Sequence, residues 1–98
     1  MIKIKIKELT VGSSDVAIEG TIIEKGELRN VNTRFGGRKV CNFVIEDDTG
    51  RINFSLWEDD IEKIKEGDKV SIAGSYVSEW NSQLQLNIPK SGSFEVSK

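Results

Sequence analysis

The chain has 98 residues, 14 Lys+Arg against 16 Asp+Glu, no histidine and one cysteine, a size that suits one small domain with a single core. The apolar and charged shares, 37% and 31%, exclude a disordered chain, and the lone Cys41 without histidine excludes an internal disulfide and the usual zinc sites. No stretch has the length and apolarity of a membrane span or the pattern of a signal peptide, so the expected setting is the cytoplasm with no membrane partner.

A net charge of −2 gives no general affinity for nucleic acid, but the charges are unevenly placed. Between residues 28 and 45 there is no acid, while Arg29, Arg34, Arg38 and Lys39 are all basic. From residue 46 to 68 the balance reverses, with Arg51, Lys63 and Lys65 against nine acids. Any anion-binding surface is therefore local.

In chain order, residues 1–14 alternate through Ile2, Ile4 and Ile6 and break at Gly12-Ser13-Ser14. They read either as an edge strand or as an extended lead-in ending in a helical turn. Residues 15–31 form a long first strand with Val16, Ile18 and Ile22 on the core face, and Gly20 and Gly26 mark bulges or bends. Residues 32–38 read as a basic loop around Gly36-Gly37. The second strand, 39–46, turns Cys41, Phe43 and Ile45 one way and Asn42 and Val44 the other.

Asp47-Asp48-Thr49-Gly50 is a hairpin turn rather than a metal site, because Asp and Thr bond to nearby backbone and Gly accepts positive φ. It leads into a third strand whose Ile52, Phe54 and Leu56 face the core while Asn53, Ser55 and Trp57 face away. Residues 58–67 are a short helix, acidic at its start and stopped by Gly67, with Ile61 and Ile64 able to plug a barrel end. The fourth strand runs 68–79, with a bend at Gly74. Strict alternation from Val70 and Ile72 buries Tyr76, and a parity reversal at Gly74 exposes it. Trp80-Asn81-Ser82 is a loop, and 83–88 the fifth strand, with Gln83, Gln85 and Asn87 outward and Pro89 ending it. A polar tail, 89–98, holds one more potential strand at 93–96. The whole, 1–98, reads as one domain.

Three strands, a short helix and two strands describe an all-β, five-stranded Greek-key barrel with a helix between strands three and four, the OB-fold. Such barrels bind on strands two and three, between the loop joining strands one and two and the loop joining strands four and five. The basic loop, Trp57 and Trp80 fall at those places.

The order and spacing of several segments carry a family resemblance. They are Ile6-Lys7-Glu8-Leu9-Thr10-Val11-Gly12, Ile45-Glu46-Asp47-Asp48-Thr49-Gly50-Arg51, Phe54-Ser55-Leu56-Trp57, Ile64-Lys65-Glu66-Gly67-Asp68-Lys69-Val70 and Trp80-Asn81-Ser82-Gln83-Leu84-Gln85-Leu86-Asn87. Together they resemble the single-stranded-DNA-binding OB domains of archaeal single-stranded DNA-binding proteins and replication protein A, from about residue 6 to 88. The resemblance implies bases stacked on Trp57 at the end of strand three, and on Tyr76 and Trp80 around the loop between strands four and five. It implies a role in replication, repair or recombination and partners among other proteins of those processes. The acidic tail, further OB domains or zinc ribbon that family members carry have no counterpart within these residues.

Beside that implication, Arg34, Arg38 and Lys39 are candidates for phosphate contacts, since a basic stretch without acids attracts a polyanion. Phe35 stands at the loop tip, either stacking or folding back. Asn53, Ser55, Gln83 and Gln85 project from the same face as candidates for base or sugar contacts. Competing readings are a protein-interaction OB domain built on the acidic helix, and single-stranded RNA binding. An enzyme is not expected: there is no histidine, no nucleophile beside a base and no phosphate loop, and no cofactor is implied.

Overall fold

The computed structural model describes residues 3–34, 36–89 and 92–97, the side chains of Trp80 and Ser97 excepted. Six strands form its sheet: β1 (Val16–Thr33), β2 (Gly36–Glu46), β3 (Arg51–Trp57), β4 (Lys69–Trp80), β5 (Gln83–Asn87) and β6 (Ser93–Ser97). The hydrogen-bonded order is β1-β2-β3-β5-β4-β6, and an added β1–β4 pairing closes five of them into a ring. This is the expected barrel. β6 lies beside the first half of β4, from Lys69↔Ser97 to Ala73↔Ser93, so part of the tail joins the sheet.

Alternation decides what fills the ring. Ile18, Ile22, Cys41, Phe43, Ile45, Ile52, Phe54, Leu56, Val70, Ile72, Val77 and Leu86 form the buried core. Phe43 and Phe54 are a cross-strand pair whose rings stack at 5.3 Å. Gly20 lies where β1 crosses β2: a Cβ there would stand 2.5 Å from the Glu46 carbonyl oxygen. β1 is irregular between Ile22 and Glu24 and again between Lys25 and Leu28, which bends it from partner β4 to partner β2.

Gly74, at φ +70, resolves the alternative left open for β4. Ile72 is buried before it, and Ser75 and Val77 after it, so parity reverses and Tyr76 is 44% exposed. Ser75 tolerates burial because its hydroxyl donates to the Val16 carbonyl at 3.0 Å.

The lead-in is extended and then turns once. Lys3 makes an isolated bridge to Ala17, and a 3-10 turn follows at Ile6–Glu8. The 47–50 turn anchors it. The Asp47 carboxylate accepts the Thr49 and Gly50 N–H groups, the Thr49 hydroxyl and, from the lead-in, the Ile6 N–H at 2.8 Å. Burial pushes the Asp47 carboxyl up, but these hydrogen bonds outweigh it and hold the group below its ordinary value.

Two elements differ from expectation. The helix after Trp57 is a 3-10 helix confined to Glu58–Lys63. Its apolar contribution is Ile61, with Ile64 just beyond, both buried under the barrel end. Lys25 Nζ closes it by donating to the Ile61 and Ile64 carbonyls at 3.2 and 3.1 Å. The 32–38 stretch is not an open loop: β1 and β2 remain paired through Val31↔Arg38 and Asn32↔Gly37 to Thr33↔Gly36. The composition misleads because a ladder needs only extended backbone, and a ribbon with no core beneath it selects no apolar residues.

Candidate nucleic-acid interface

The outward residues of β2, β3 and β5 make one polar floor. Directly paired residues stand on the same side of a sheet, and the pairs here are Val40↔Trp57, Asn42↔Ser55, Val44↔Asn53 and, across the parallel seam, Asn53↔Gln85. Hydrogen bonds tie three strands together on that floor. The Ser55 hydroxyl donates to Asn42 Oδ1 at 2.7 Å, and Gln85 Nε2 donates to the Ser55 oxygen at 3.3 Å. Glu24, Arg29 and Val31 of β1 form a wall, enclosing a groove of about 550 Å³. That wall carries one cation, Arg29, and one acid, Glu24, and the floor is amide and hydroxyl, so the surface can meet base edges, with Arg29 placed for an anionic backbone.

Trp57 stands at the rim, 41% exposed. It sits there because β3 ends with it and Glu58 turns away at φ +53. The Arg38 guanidinium lies over its ring, 5.3 Å from the centroid. Glu58 Oε1 accepts from Arg38 Nε at 3.3 Å and from the Lys39 backbone N–H at 3.1 Å. On the other side of Trp57 a second depression, about 490 Å³, runs past Arg38, Lys63, Pro89 and Phe94.

The structure gathers some of the expected site residues and separates others. Trp57, Asn53, Ser55, Gln83 and Gln85 line the groove together. Tyr76 is exposed on β4 opposite Asn87, on the same side of the sheet but outside the groove lining. Arg38 reaches the face through Trp57, whereas Arg34 is exposed at the ribbon tip. Lys39 points the other way. It lines a hollow of about 280 Å³ beneath the ribbon, with Leu28, Glu58, Asp59 and Glu62, so β-alternation separates it from neighbouring Arg38. Phe35 and the Trp80 side chain lie outside the described residues; the Trp80 backbone pairs with Gln83 at the end of β4.

Asn42 and Val31 belong to the groove without standing out in the sequence as site residues, and so does Arg29, which the sequence offers only as a weaker phosphate contact than Arg34, Arg38 and Lys39. The alternation that turns Cys41 and Phe43 inward marks Asn42. Arg29 and Val31 depend on the β1–β2 register, for which the sequence has no strong signal. Under the floor, burial pushes the Cys41 thiol up, which keeps it protonated and a poor nucleophile. Among the described residues no group of three or more His, Cys, Asp or Glu is placed to hold a metal ion, and no helix is long and apolar enough to cross a membrane.

The family model for the OB-fold nucleic acid binding domain, of the tRNA anti-codon type, matches residues 16–91. The chain belongs to this family. This OB-fold domain is 30% identical over 83 residues to the single-stranded DNA binding protein Ssb of Saccharolobus solfataricus. The match covers 85% of the domain and 56% of that protein, so the chain spans little more than half the length of this relative. Two of the solved structures similar to it share its fold over nearly its whole length. One is the replication factor A related protein of Methanobacterium thermoautotrophicum, with TM-score 0.80, 24% identity and coverage of 98% of this chain and 91% of that one. The other is the second OB-fold domain of replication protein A from Methanococcus maripaludis, with TM-score 0.77, 22% identity and coverage of 97% and 94%. The OB-fold domain is thus similar to those of archaeal single-stranded DNA-binding and replication proteins.

Proposed function

We propose that this OB-fold domain binds single-stranded DNA with little regard for sequence, in replication, repair or recombination, and without catalysis. The observation that carries the reading is Trp57, a half-exposed ring at the rim of a polar groove with a guanidinium beside it. A base stacks on such a ring because every base has a π-face, and each stacked base contributes about 1–3 kcal/mol. Arg38 and Arg29 pair with phosphates, and Arg34 extends that track along the ribbon. Asn53, Ser55, Gln83 and Gln85, with Asn42, bond to base edges or sugars. Tyr76 and Trp80 take up bases further along the sheet. The choice of DNA rests on the likeness to Ssb, since no residue singles out a 2′-OH.

Titration with oligo-dT, followed by tryptophan fluorescence, tests this. Stacking quenches the emission. Trp57→Ala weakens binding by roughly five- to hundredfold, the equivalent of one lost stacked base. Duplex DNA of equal length binds worse, because pairing hides the base faces. Neither quenching nor binding at micromolar protein rejects the proposal and leaves the domain as a protein-interaction module.

A further inference from the structure

We infer that Glu58 is a positioning residue that holds Arg38 as a cover on Trp57, and that a bound strand displaces this carboxylate from Arg38 with a phosphate. The inference rests on the single-stranded DNA reading above and adds a residue that opposes binding.

The geometry begins with the end of β3. Its pairing with β2 stops at Val40↔Trp57, so the N–H of the next β2 residue, Lys39, has no β3 carbonyl to meet. Glu58 supplies the acceptor: its left-handed backbone, φ +53, aims the side chain back along β2, and Oε1 takes that N–H at 3.1 Å. The same oxygen takes Arg38 Nε at 3.3 Å. Arg38 is thereby fixed with its guanidinium over the Trp57 ring. One carboxylate thus extends a ladder and orients a cation on an aromatic face.

For a polyanion this arrangement has two consequences. The charge of Arg38 is already neutralised by a partner in the free protein. One face of Trp57 is covered before a base arrives. The side chains of Arg38 and Glu58 are 46% and 43% exposed, and a pair this open to water is weak, so a phosphate can replace the carboxylate. The guanidinium keeps its stacking while its hydrogen-bond partner changes, which suits its planar fork of donors. Glu58, left behind, takes up a cation from solution, and this offsets one of the counterions released from the strand.

Glu58→Gln separates the two roles of the residue, because the amide keeps an oxygen for the Lys39 N–H and loses the charge. With oligo-dT, the variant binds about two- to fivefold tighter at low salt, in line with the weak coupling of exposed ion pairs. Its plot of log affinity against log salt steepens by about 0.7, one more net counterion on a single strand. In an Arg38→Ala background the same substitution loses most of its effect, because Glu58 acts through Arg38. Equal tightening in both backgrounds overturns the inference, since it marks simple removal of a negative charge. Unchanged or weaker binding by Glu58→Gln overturns it as well, provided thermal unfolding shows the fold intact. Arg38→Ala alone serves where Gln disturbs the fold: the counterion released by its phosphate contact is offset by the cation that Glu58 takes up, so its removal leaves the salt slope as in the wild type, and a slope shallower by about 0.7 contradicts the inference. Each of these outcomes leaves the single-stranded DNA reading standing if the wild type binds and Trp57→Ala weakens it. Absence of binding by the wild type removes both.

Discussion

At the scale of single residues, Asp47 does more for the fold than its place in a turn indicates. Its carboxylate collects four hydrogens, three from its own turn and one from the lead-in. Asp47→Ala leaves those donors unmatched and lowers stability by about 2 kcal/mol, read from urea unfolding at neutral pH. Because the folded state holds this carboxyl below its ordinary value of 3.8, its contribution is full above that value and disappears as the pH falls through the lower folded one. Wild type therefore loses stability below about pH 4, and Asp47→Asn shows a flatter acid limb. The outward direction of Trp57, Asn53, Ser55 and Gln85 was legible in the sequence because alternation has a fixed period. The partnership of Arg38, Glu58 and Trp57 was not, since it joins residues twenty apart through a ladder position that only the end of β3 leaves open.

Among elements, the bends matter most. Gly20 and Gly74 were both readable as interruptions, but for different physical reasons. Gly20 is required by a close crossing: an alanine Cβ would meet the Glu46 carbonyl at 2.5 Å and Ile45 Cγ1 at 2.9 Å. Gly74 is required by its backbone angle, φ +70. Gly20→Ala costs about 2–3 kcal/mol as overpacking in a rigid sheet. Gly74→Ala costs about 1–2 kcal/mol as left-handed backbone. Chemical denaturation checks both. The β1–β2 ribbon was the least legible element, because its hydrogen bonds leave no apolar signature. Its paired form changes the site: Arg38 and Lys39 leave the ribbon on opposite sides, where an open loop leaves both free to reach one ligand.

For the whole molecule, the barrel topology was legible because element order, turn chemistry and alternation agreed with one another. The β6 pairing had only a short segment in its favour, and its docking on β4 follows from packing rather than from local preference. The result is an uneven sheet. β4 shares ladders with β1, β5 and β6, and its first half is bonded on both sides. The outer ribbon has one ladder and no core. Amide hydrogen exchange translates this difference into time. The ribbon amides of residues 28–33 and 36–39 exchange through local opening, while those of residues 70–73 exchange only when the entire barrel opens. Exchange at β4 therefore reports the global unfolding free energy, and exchange at the ribbon reports a local equilibrium that a bound strand slows, with β4 as the internal standard.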